Sequence, residues 1–231
     1  MALLWPILGL IALVVILFAA ERRWPEAITR LEENFIAALM ATITLVSFFQ
    51  VVARYGFNTG WSGALELTRI LFAWLILFGM SYGIKQHMHL GVDAFIRFLP
   101  KPAFRVVAVF GAFCAFLYAF MLLHAGWLAW FGVDVSTNWR QTGAIGYWKF
   151  MFDRGTGLDD LRWPELIQSL FGTQERVQRW IAYLMLPVGL SLLAFRSLEA
   201  MIAILRGERE LVIAGHEAEE LVSEHKDILK D

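Results

Sequence analysis

WSGALELTRILFAWLILFGMSYGI, residues 61–84, has the length and apolarity of a membrane span, yet it carries Glu66 and Arg69 as its only charged residues. Three positions apart, the two side chains share one face of a helix, about a turn from each other. A lone charge at the bilayer centre costs about 2.5–3.5 kcal/mol on insertion scales. The pair is therefore expected to face protein or the water boundary. Because it lies near one end of its helix, docking on a neighbouring subunit is a better use for it than ion or substrate coupling.

The rest of the chain supports a membrane setting. Hydrophobic residues make up 58% of the sequence and charged residues 18%, with a mean hydropathy of +0.58. A soluble domain is typically about 45–50% apolar and 25% charged. The expected fold is all-α: a polytopic transmembrane helical bundle with interfacial amphipathic helices. An apolar helix over residues 1–20 precedes spans at about 35–53, 61–84, 106–133 and 180–205. The first run lacks a basic leader and is expected to be a retained anchor; the small residues Ala19 and Ala20 make cleavage a minor alternative. Residues 21–34 are charged and read as a short amphipathic helix at the interface. His124 falls inside the fourth span, and Pro187 is expected to kink the last one.

Two connections matter. Residues 134–179 are rich in aromatics and are expected to form a structured cap with one short helix at about 164–171, opened by Pro164. Residues 206–231 form an acidic tail with a helical stripe. On one side, the segments 21–34, 85–105 and everything from residue 196 on hold 12 of the 20 lysines and arginines; 6 of the other 8 lie in the long cap. Long loops count little in the positive-inside rule, so this side and the C-terminus are expected to be cytoplasmic.

Catalytic patterns are lacking. The sequence has no phosphate-cradling glycine loop, nucleophile elbow or paired catalytic carboxylates in a polar domain, and its net charge of −1 gives no hint of nucleic-acid binding. Cys114 is the only cysteine, which excludes an intramolecular disulfide and a cysteine-based zinc site. His87 and His89 point to different helix faces, with Asp93 as the one nearby carboxylate, so a boundary polar cluster is preferred to a metal site. No cofactor is expected. A free-standing carrier is disfavoured by the lack of internal repeats and broken midplane helices. A membrane anchor for a redox enzyme complex is the competing reading, although His124 alone cannot supply a bis-histidine haem. Gly79 and Gly83 have the small-xxx-small spacing of a packing face.

The stretch from Val51 to Pro100 resembles the small membrane subunit (DctQ-type) of tripartite ATP-independent periplasmic (TRAP) transporters. The matching residues are Val52, Arg54, Tyr55, Phe57, Asn58 and Trp61, then Glu66, Leu67, Arg69, Leu71, Phe72, Trp74, Leu75 and Gly79, then His89, Val92, Asp93, Leu99 and Pro100. Leu65 stands where the family often has a second acid, and the N-terminal apolar run is additional to the usual four spans. The resemblance implies a non-catalytic subunit of the bacterial inner membrane. It would scaffold a large DctM-type subunit that moves an organic acid, of the C4-dicarboxylate branch, with sodium. A periplasmic DctP-type binding protein would deliver the cargo. Subunit-interface candidates are Arg54, Asn58, Trp61, Glu66, Arg69, Trp74, Gly79, Gly83, His89 and Asp93. Trp139, Trp148 and Trp163 in the cap are candidates for docking the binding protein, and membrane lipid surrounds the whole.

Overall fold

A computed structural model describes residues 4–86, 100–132 and 143–207. Among them, five helices are long and apolar enough to cross a membrane, in keeping with an all-α polytopic bundle.

Helix α1 (Leu4–Arg23) and α2 (Pro25–Gly56) meet at Trp24, whose N–H donates to the Ala20 carbonyl at 2.7 Å. Pro25 occupies the first turn of α2, where its missing N–H costs nothing. The expected interfacial helix at 21–34 is not a separate element. Its first residues close α1, and the remainder is continuous with the second span, because nothing between Pro25 and Gly56 breaks the helix. At 1.5 Å per residue, α2 is about 48 Å long, well beyond a hydrocarbon core of about 30 Å. A turn with Asn58 in the left-handed region (φ 47°) leads to α3 (Ala64–Lys85).

Helix α4 (Lys101–Leu123) stops ten residues short of the expected end at 133. At His124 the backbone turns extended (φ −137°, ψ 115°), and its imidazole Nδ1 accepts the Gly126 N–H at 3.1 Å. The chain continues as a 3-10 helix, Ala125–Phe131. His124 thus ends a span instead of lying within one.

The cap begins with α5 (Gly143–Arg154), followed by strand β1 (Gly157–Arg162), the short helix α6 (Glu165–Phe171) and strand β2 (Arg176–Gln178). The helix falls where Pro164 predicts it. The strands form a small antiparallel hairpin that the hydropathy pattern does not announce, with Gly157 opposite Gln178 and Arg162 opposite Arg176. Gly143 has φ 78°, and a Cβ there would lie 2.8 Å from the Ala125 nitrogen. Only glycine allows α5 to start against the end of α4.

The last span is two helices, α7 (Arg179–Tyr183) and α8 (Met185–Arg206), broken at Leu184. Pro187 has no N–H for the carbonyl four residues back, which explains a break one turn before it. Nearby, the Trp74 indole N–H donates to the Ala182 carbonyl at 2.9 Å.

Helix α8 is the centre of the bundle. Half of the apolar window within Arg179–Arg206 is buried inside the chain, against 11% or less in each of the other spans. Leu190, Leu193 and Ala194 pack with Ile84, Ala119 and Ala144. Gly189 lets α3 approach closely: a Cβ would lie 2.8 Å from Leu77 Cβ. A second cluster, Leu158, Leu161 and Val177, fastens the hairpin to Leu67 and Ile70 near the start of α3.

The bundle therefore has two distinct ends. One gathers the cap, the α2–α3 turn and the start of α1, where the Trp5 ring packs at a tilt against Trp148 and Phe152. The other gathers the ends of α1, α3 and α8 with the start of α4, where the Arg105 guanidinium lies against Gly207.

Candidate functional site

Glu66 sits in the first turn of α3, beneath the hairpin. Its carboxylate accepts three backbone N–H groups of the cap: Asp159 at 3.2 Å, Asp160 at 2.8 Å and Leu161 at 2.8 Å. Hydrogen bonds to an ionised acceptor are about twice as strong as neutral ones. Glu66 is thus a clamp that fixes the hairpin to the span. Arg69 makes no ion pair with Glu66 among the described residues and is exposed on the adjoining face. The two residues border one cleft of about 300 Å³, walled by Trp74, Leu158, Tyr183 and Met185.

Arg54, Asn58 and Trp61 come together in another cleft, of about 420 Å³, at the α2–α3 turn. Gln50 organises this turn by accepting the Trp61 N–H at 3.2 Å. Gly79 and Gly83 lie lower on α3, and a Cβ at either position would meet nothing within 4 Å. Among the described residues no helix closes on them.

The cap tryptophans differ in setting. Trp148 is 8% exposed, packs on Phe152 and Trp180, and donates its indole N–H to the Trp180 carbonyl at 3.1 Å. It therefore holds the cap together from inside and presents no surface for docking. Trp163 is half-buried against the second cluster. The most exposed apolar side chains among the described residues of the cap are Leu166, Leu170 and Phe171 on α6. His87, His89, Asp93, Trp139 and the tail beyond residue 207 lie outside the described residues.

An ionic knot at the opposite end was not anticipated. Arg196, only 8% exposed, reaches Glu21 at 2.5 Å, Glu32 at 3.5 Å and Glu199 at 3.1 Å. Lys85 reaches Glu21 at 2.9 Å and also pairs with Glu32. Tyr82 donates to Glu33 at 2.8 Å. Four helices, α1, α2, α3 and α8, are thus tied by a buried Arg196 and the half-buried Glu21, Glu32 and Lys85, and the Arg196 charge would be costly to leave unpaired. The sequence signal was present, since acids and bases punctuate the ends of the apolar runs, but their pairing depends on which ends meet.

Among the described residues no three histidines, cysteines or carboxylates converge on a metal-like site. A third cleft, of about 280 Å³, is a mostly apolar wedge lined by α1, α2 and α8.

Comparison with known proteins assigns a relationship. Residues 43–154 match the family model for tripartite ATP-independent periplasmic transporters, DctQ component. The chain is 34% identical over 196 residues to the C4-dicarboxylate TRAP transporter small permease protein DctQ of Vibrio cholerae, covering 82% of this chain and 78% of that one. It is 30% identical over 238 residues to the protein of the same name from Pseudomonas aeruginosa, covering 90% of this chain and 98% of the relative. With the corresponding Rhodobacter capsulatus protein it shares 26% identity over 209 residues, 77% of each chain.

Proposed function

From the membership of this chain in the DctQ component family of TRAP transporters, to which it belongs, we propose that it is the small permease subunit of a sodium-driven C4-dicarboxylate uptake system. It is a non-catalytic, multi-pass protein of the bacterial inner membrane. Its partners are a large permease subunit and a periplasmic substrate-binding protein.

The observation that carries the scaffolding role is the way the bundle is tied at both ends. Glu66 pins the cap to α3, and the Arg196–Lys85 knot pins four helices to one another. Transport by moving parts needs elements of low local stability. Glu66, Glu21, Glu32, Lys85 and Arg196 are spent on fastening, which suits a static companion to a mobile subunit. The cap end is periplasmic and the ionic knot is cytoplasmic, following the charge bias of the loops. In that orientation α6, with Leu166 and Leu170 exposed, and the half-buried Trp163 lie on the side that a binding protein approaches.

The test is reconstitution. Liposomes holding this chain, its large partner and the binding protein should accumulate labelled succinate under an inward sodium gradient. Omitting any one component should abolish uptake. Full uptake without this chain, or uptake by this chain alone, would overturn the assignment.

A further inference from the structure

We propose that the outward face of α3 receives a membrane-spanning helix of the large permease subunit, and that this helix carries a carboxylate that pairs with Arg69. The inference rests on the small-permease reading and names the surface through which that subunit is held.

The two faces of α3 are used differently. Trp74, Leu77, Ser81 and Ile84 turn towards the rest of the chain, by the indole bond to Ala182 and by packing or burial beside α8. The opposite face repeats at threes and fours: Leu65, Arg69, Phe72, Ile76, Gly79 and Gly83. Leu65, Phe72 and Ile76 are 61%, 52% and 46% exposed. The stripe from Leu65 to Gly83 is about 27 Å long, close to the full hydrocarbon thickness of about 30 Å. An occupant of that length is a whole span.

Two independent features on this stripe select a protein helix over lipid. The first is the pair of open glycines: among the described residues no atom approaches within 4 Å of a would-be Cβ at either. Acyl chains gain nothing from bare backbone, whereas a partner helix gains close contact across small-xxx-small spacing. The second is Arg69. The anion one turn away, Glu66, has its oxygens occupied by three cap amides. Arg69 is left without an ion pair among the described residues, at the rim of the cleft beneath the hairpin. A guanidinium at a span's face calls for an anion, and its planar fork matches a carboxylate in two-pronged fashion. Charge and open backbone on one stripe together describe a helix bearing an acid near its outer end.

The test uses the full complex in nanodiscs, with p-benzoylphenylalanine placed at Ile76 on the stripe and at Val106 on α4, which is 68% exposed. The Ile76 probe should crosslink to the large subunit and the Val106 probe should not. Arg69→Gln and Gly83→Leu should each lower the co-purified large subunit at least tenfold, with Arg69→Lys intermediate. The thermal midpoint of the isolated Arg69→Gln chain should stay unchanged, because among the described residues Arg69 has no ion pair to lose. If the wild-type complex forms and transports but the Ile76 probe labels only lipid, the proposed face is wrong and the subunit reading stands. Normal co-purification of Arg69→Gln would overturn the ion pair. Failure of the wild-type chain to bind any large subunit would instead sink the subunit reading.

Discussion

Glu66 shows how a single residue can be legible in type and illegible in role. The sequence marks it as an acid in a span that needs a partner, and the nearest cation is Arg69, three residues on. The structure gives it three backbone amides about ninety residues downstream instead. Hydrogen bonds to a charged group contribute about 1.5–3 kcal/mol. Glu66→Gln is expected to lower stability by an amount in that range and to speed amide exchange at Asp159, Asp160 and Leu161. Exchange that stays as slow as in the wild type would remove the clamp. Arg196 is the matching case at the other end. Removing one partner of a buried ion pair costs about 3–5 kcal/mol. Arg196→Ala leaves Lys85 to neutralise both Glu21 and Glu32 and takes from Glu199 its cation, so the thermal unfolding midpoint should fall, and Arg196→Lys should recover part of the loss. An Arg196→Ala midpoint equal to wild type would mean that the knot contributes nothing net.

Among the elements, the last span carries the most weight. Pro187 announces an interruption, and the helix does break, one turn earlier at Leu184. Gly189 is different: nothing in its neighbourhood of sequence says that Leu77 of α3 will sit against it. Overpacking typically costs about 1–3 kcal/mol. Gly189→Leu should destabilise the protein by that order, while Gly111→Leu on α4, where no atom lies within 4 Å, should be close to neutral. Equal thermal midpoints for the two variants would contradict the close α3–α8 crossing. The merged α2 and the shortened α4 are of the same kind. Hydropathy locates apolar runs, but their ends follow from hydrogen bonding, such as the His124 imidazole taking the Gly126 amide.

The whole molecule is a bundle with two chemically distinct ends, one aromatic and capped, one ionic. Its orientation in the membrane can be tested with single cysteines in a Cys114→Ser background. A membrane-impermeant maleimide applied to spheroplasts should label Ser169→Cys on α6. It should label Glu26→Cys, at the start of α2, only after the membrane is opened. The reverse pattern would invert the topology and move the cap away from a periplasmic partner.

Class, the long apolar runs and family were within reach of the sequence alone, because they depend on local properties: apolar length, charge between runs, and a run of matching residues from Val51 to Pro100. The individual site roles were not. Trp148 reads as a docking tryptophan and proves to be an interior one, since its surroundings come from Trp5 and Trp180, far away in the chain. Lys85, Glu21, Glu32 and Arg196 read as separate boundary charges and prove to be one knot. Burial and ion pairing are properties of what lies opposite, and only the tertiary structure decides that.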